Sequence, residues 1–151
     1  MVREPLRADE PASDVNATAP TRGLAASYPA AMDVEALTAY CLGKPGAWPD
    51  TPWENDQVAK VGPAARGRIF AFLGDGSVGV KCGVSREEAD AWLARYPEDA
   101  RAMPYIGRSG WNSLDVGGRI PDEEMLVAVD ESYRLVAGRL PKSLRPAGWD
   151  A

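Results

Sequence analysis

The chain contains no histidine. The side chain that most often acts as a general base near neutral pH, and most often binds zinc, is therefore absent. Neither a catalytic centre nor a metal site nor a bound cofactor is expected. Cysteine is scarce too: Cys41 and Cys82 stand far apart, in no metal-ligand or redox spacing, and read as small buried side chains. No apolar run approaches the roughly 20 residues needed to cross a bilayer, so no membrane partner is expected. The first thirty residues lack the apolar stretch of about 7 to 15 residues that marks a secretory signal, and the expected location is the cytoplasm. Asn16-Ala17-Thr18 fits a glycosylation acceptor, which carries no weight in a chain that is not secreted. The paired carboxylates, Glu87-Glu88 and Asp122-Glu123-Glu124, fall at helix starts, where the helix dipole accounts for them without chemistry.

What the chain does have is clearest in its last third. Trp111 to Val116 alternates, Gly117-Gly118 offers a turn, and after Pro121 a long amphipathic pattern begins. Met125, Val129, Tyr133, Val136 and Leu140 recur every three or four residues, giving one buried stripe, and Pro141 marks the expected stop. Ser132 lies mid-helix without a base beside it and is read as a small packing residue, not a nucleophile. At the other end, residues 1–31 mix prolines with charges of both signs and gather no apolar face, so they are expected to form a dispensable tail. Residues 32–151 are expected to form a single domain.

Within that domain Asp33 should cap a first helix that ends at Gly43, and the Pro-, Gly- and Trp-rich run from Gly43 to Asp56 reads as a loop. Three strands are expected next: Gln57 to Val61, Arg68 to Leu73, and Ser77 to Cys82. Gly74-Asp75-Gly76 would join the last two in a tight hairpin turn at positive φ. Ser85, with Glu88 three residues on, should cap a second helix whose apolar stripe is Ala89, Trp92, Leu93 and Tyr96, ended by Pro97. A fourth strand is placed between Met103 and Gly110, around Tyr105 and Ile106, turning at Ser109-Gly110 to pair with the Trp111 strand. The expected order is α-β-β-β-α-β-β-α, an α+β domain with five strands. Trp92, Leu93, Val129 and Val136 are the expected links between helices and sheet.

The last third, with its Trp-led strand, Gly turn, Pro-Asp-Glu helix start and Ser132-Tyr133 pair, resembles the C-terminal signature of the MmcQ/YjbR-like family. Cys41-Leu42, Pro45-Gly46, Pro52-Trp53, Asp56, Lys60-Val61 and Phe70-Ala71 resemble its N-terminal part. Two features depart from the family pattern. Gly62 to Arg66 is longer than the usual turn, and Gly110 stands where members often carry histidine, with Arg108 where lysine is common. The resemblance implies a two-layer domain with one antiparallel sheet, similar to secretion-chaperone folds, and it implies DNA binding by analogy with winged domains. A fold alone does not fix a function.

The net charge of −5 opposes nucleic acid, but it is unevenly spread. Lys60, Arg66, Arg68 and Lys81 outweigh Asp56 and Asp75 in the first strands, and Arg101, Arg108 and Arg119 outweigh Asp115 around the last ones. The expectation is a non-enzymatic binding module that meets DNA phosphates through Lys60, Arg66, Arg68, Lys81 and Arg108 with little regard to sequence. Arg134 and Arg139, on the last helix, are expected to contribute little. The alternatives are a protein-interaction module using the same sheet, so that the partner is another protein, or a small-ligand binder with Trp48, Trp53 and Trp111 as aromatic contacts.

Overall fold

The computed structural model of the chain describes residues 32–53 and 56–151; the expected tail, residues 1–31, lies outside them. Helix α1 (Val34–Leu42) is capped by the Asp33 carboxylate, which accepts from the Ala36 N–H, and it gives way at Gly43. Six strands follow in the order β1 (Ala47–Trp53), β2 (Asp56–Val61), β3 (Arg68–Leu73), β4 (Ser77–Lys81), β5 (Ala100–Ala102) and β6 (Trp111–Asp115). Helix α2 (Arg86–Arg95) lies between β4 and β5, and α3 (Asp122–Ala137) follows β6. All pairings are antiparallel, and the order across the sheet is β1-β2-β3-β4-β6-β5.

Among the described residues the sheet thus has six strands where five were expected, and both edge strands differ from the sequence reading. Residues 47–53 form a strand despite Pro49 and Pro52, because β1 is an edge strand and a missing N–H there can be spared. Its register shifts between Asp50 and Trp53. At the opposite edge the partner of β6 is Ala100–Ala102, not a strand around Tyr105 and Ile106. Residues 103–110 instead form a connecting loop that closes with a 3₁₀ turn, Gly107–Ser109, because the chain must reverse direction before Trp111. The hairpin between β3 and β4 is present, with the Gly74 N–H donating to the Ser77 carbonyl. Neither Gly74 nor Gly76 adopts positive φ, contrary to expectation.

One hydrophobic cluster joins Leu37 of α1, Ala89 of α2 and Met125, Val129 and Tyr133 of α3 to Phe70, Ala71, Val78, Val80 and Leu114 of the sheet. The whole predicted stripe of α3 is buried. The helix ends at Gly138, earlier than Pro141, and Arg145 folds back to donate to the Gly138 and Leu140 carbonyls left open there. Trp92 and Leu93 are half-buried and pack at the margin of the core, so they are weaker links than Val129. Val129→Ala should cost about 1–3 kcal/mol through lost burial and a residual cavity, read from urea unfolding. A change near zero would contradict the packing of α3 on the sheet.

Strand β3 carries an irregularity that matters for the site. Ala59 of β2 faces Ala71 and the next residue, Lys60, faces Ile69, leaving Phe70 as the extra residue of a bulge. The pairing of β3 with β4 also stops short of it, at Ala71 opposite Val80. The Phe70 carbonyl finds its partner in the Ser132 hydroxyl of α3 (2.6 Å), whose oxygen in turn accepts from the Lys81 N–H (2.9 Å). A hydroxyl from the helix thus occupies the place where the next ladder bond between β3 and β4 would form. Ser132 is a packing residue, as its sequence position suggested, and also a bridge between two strands.

Candidate functional site: a basic cleft

Past this bridge β3 and β4 are no longer paired, and a cleft of about 590 Å³ lies there. Four cations line it, each from a different element: Arg68 opens β3, Lys81 closes β4, Arg108 lies in the 3₁₀ turn and Arg139 follows α3. No acidic side chain is among the lining residues. Among the described residues none of the four forms an ion pair. The Lys81 ammonium donates to the Ser109 carbonyl. Burial holds it below its ordinary pKa, and the nearby Arg139 pushes it the same way. An anion arriving in the cleft would oppose both effects. Val84, Leu135, Val136 and Trp111 form apolar wall, and Trp111 is fixed edge-on against Phe72 at 5.6 Å between ring centroids.

The loop carrying Arg108 is held at several points. Arg86 of α2 donates to the Gly107 carbonyl (2.8 Å) and to the side-chain oxygen of fully buried Asn112 (2.5 Å), which itself donates to the Ala89 carbonyl (2.9 Å). Gly110 sits at φ +96 against the backbone of Gly83, and the Cys82 N–H donates to its carbonyl (2.7 Å). Met103 lies over Gly79, where a side chain would find its sulfur only 2.7 Å away. Ser85 at the cleft wall caps α2 by accepting from the Glu88 N–H (3.2 Å), while Glu88 accepts from the Val84 N–H (2.9 Å). The reciprocal capping arrangement is met, with the donor to Glu88 one residue upstream of the usual N-cap N–H.

Of the residues singled out in the sequence, the cleft gathers Arg68, Lys81, Arg108 and Trp111. It adds Arg139, which had been expected to contribute little, while Arg134 pairs with Glu131 (2.8 Å). Lys60 lies elsewhere, paired with Asp50 across β1 and β2 (2.8 Å) and set over the Trp48 ring. Arg66 is exposed on the turn before β3, outside the cleft. Trp48 donates its indole N–H to the Gly62 carbonyl (2.7 Å) and serves as structure, and Trp53 stands exposed on the edge strand. Arg101 and Arg119 are compensated by Asp115 and Glu98. Both thiols are buried, with pKa values pushed up to about 12 for Cys41 and about 11 for Cys82, so neither is poised as a nucleophile. No helix among the described residues is long and apolar enough to cross a membrane.

The fold and cleft define an α+β domain with a cationic concavity at the end of its sheet. A family model described as YjbR matches residues 42–135, and the chain belongs to that family. It is similar to the uncharacterized protein YjbR of Escherichia coli K12, 27% identical over 116 residues, covering 76% of this chain and 95% of the relative. The YjbR protein of Escherichia coli O157:H7 matches equally. Among solved structures it resembles the Deinococcus radiodurans protein DR2400, a DUF419 domain. That match has a TM-score of 0.66 and 20% identity over 75% of this chain and 85% of the other, a likeness of fold.

Proposed function

We propose that this protein is a non-enzymatic binding module whose cleft receives the phosphates of a nucleic acid, DNA being the case first expected from the sequence. The observation that carries the reading is the convergence of Arg68, Lys81, Arg108 and Arg139, without an ion-paired carboxylate among the described residues, on one concavity of an otherwise acidic chain. Like charges gathered on one concavity focus a positive potential, and guanidinium and ammonium groups are strong donors to phosphate oxygens. The contacts are of the positioning kind: no described helix presents a row of Arg, Asn and Gln for reading base edges, so binding is indifferent to sequence. A small phosphorylated ligand is the second reading, favoured by a volume inside the range of small-molecule sites.

Fluorescence anisotropy with labelled oligonucleotides at low salt tests this. Wild type should bind at micromolar protein, with the logarithm of affinity falling by roughly three per decade of salt if four phosphates are neutralised. Changing Arg68, Lys81, Arg108 and Arg139 together to glutamine should abolish binding, whereas Lys60→Gln with Arg134→Gln should leave it nearly intact. The oligonucleotide should be recovered uncleaved. Equal loss from both variants would remove the cleft from the reading, and displacement by nucleoside phosphates alone, with no oligonucleotide bound, would favour the small ligand.

A further inference from the structure

Tyr105 is 96% exposed. Among the described residues its ring makes no aromatic contact and its hydroxyl no hydrogen bond, yet its backbone sits at φ +67, a region that bulky side chains enter only under strain. The Ile106 N–H donates to the Pro104 carbonyl at 2.7 Å, so Tyr105 is the central residue of a γ-turn in its strained, positive-φ form. Glycine would relieve that strain, and the fold gains no visible packing from the ring. Strain of this kind is characteristic of residues held for a ligand. The ring also starts from a firm base, since the loop is pinned by Met103 on Gly79, by Arg86 on Gly107 and by Gly110 on Gly83. Arg108 of the cleft lies three positions after Tyr105, at most about 11 Å of extended chain. A nucleic acid strand whose phosphate enters the cleft therefore has a base within reach of the ring.

Resting on the phosphate-binding reading, we propose that the ligand is a single-stranded nucleic acid, one base of which stacks on Tyr105 while its phosphates occupy the cleft. A paired duplex hides its base faces and cannot use the ring. An exposed aromatic beside a cationic groove is the arrangement by which single strands are held without regard to sequence. The strand is bound, not altered.

The test compares three probes on the full chain by anisotropy, a mixed-sequence single-stranded 12-mer, its duplex and an abasic strand of equal charge, and repeats the single-strand measurements with Tyr105→Gly and Tyr105→Phe. Expected are tighter binding of the single strand than of the duplex or the abasic strand, and a loss of about fivefold or more for Tyr105→Gly on the 12-mer. Tyr105→Gly should not weaken binding of the abasic strand, Tyr105→Phe should bind as wild type, and the Tyr105→Gly protein should melt no lower than wild type. Duplex or abasic binding as tight as the single strand, or an unchanged affinity for Tyr105→Gly, overturns the stacking inference. If the cleft glutamine variant still abolishes binding in that case, the phosphate reading stands. Absence of binding to every probe overturns both.

Discussion

Gly110→Ala is expected to destabilise the domain by about 3–5 kcal/mol, seen as a lowered urea midpoint and a melting temperature reduced by on the order of 10 °C. Two causes add. At φ +96 any side chain strains the backbone, and a Cβ at this position would lie 2.4 Å from the Gly83 carbonyl oxygen and 3.1 Å from the Ser85 carbonyl oxygen. Those atoms are main chain, fixed by the α2 cap and by the bond from Cys82 to Gly110, and they cannot swing aside as a side chain would. The loop carrying Arg108 and Trp111 would have to move, so binding should fall with stability. The departure at this position from the histidine common in the resembled family is therefore required by the path of the chain here. A stability change within about 0.5 kcal/mol would show that residues 107–110 adopt a different path.

Ser132→Ala should cost about 1–3 kcal/mol, because it leaves the buried Phe70 carbonyl and the Lys81 N–H without the partner they share. The lost side chain is small, so a cavity contributes little and the penalty is that of two unsatisfied backbone groups. Hydrogen exchange separates this from a general loosening: the Lys81 amide should exchange much faster while amides in the middle of β4 keep their protection relative to global stability. Oligonucleotide affinity should also drop, since the bridge holds β3 and β4 at the separation that sets Arg68 against Lys81. Unchanged exchange at Lys81 would mean that another group takes over the bond.

The elements read correctly from the sequence share a physical property: their signals are local and long enough to repeat. Helix α3 shows four turns of apolar periodicity with acidic residues at its start, and α1 and α2 announce themselves through Asp33 and Ser85. The β3–β4 hairpin follows from alternation on both sides of a Gly-rich turn. The two missed strands lie at the sheet edges, where the pattern fails for opposite reasons. Prolines in β1 read as a loop, since only the sheet order reveals that their missing N–H groups can be spared, and β5 has three residues, too few to alternate visibly. Tyr105 and Ile106 drew a strand onto residues 103–110 because aromatic and β-branched residues favour strands, a preference that the need to reverse the chain overrode.

The site divides along the same line. The sequence by itself determined that the protein would hold an α+β core under α3, that catalysis by histidine was out of reach, and that residues 56–81 and 101–119, around the strands, carry more bases than acids. It also pointed to Arg68, Lys81 and Arg108, which the cleft gathers, and to Lys60 and Arg66, which it does not. Only the tertiary structure decided which bases share one cleft, because charge compensation and convergence depend on distances between segments far apart in the chain. Asp50 on the unforeseen β1 neutralises Lys60, while the crossing of α3 over the bulged β3 brings Arg139 into the cleft and Ser132 between the strands. Electrostatic interaction falls off over a few ångströms, and composition along a chain carries no record of which charges come within that range.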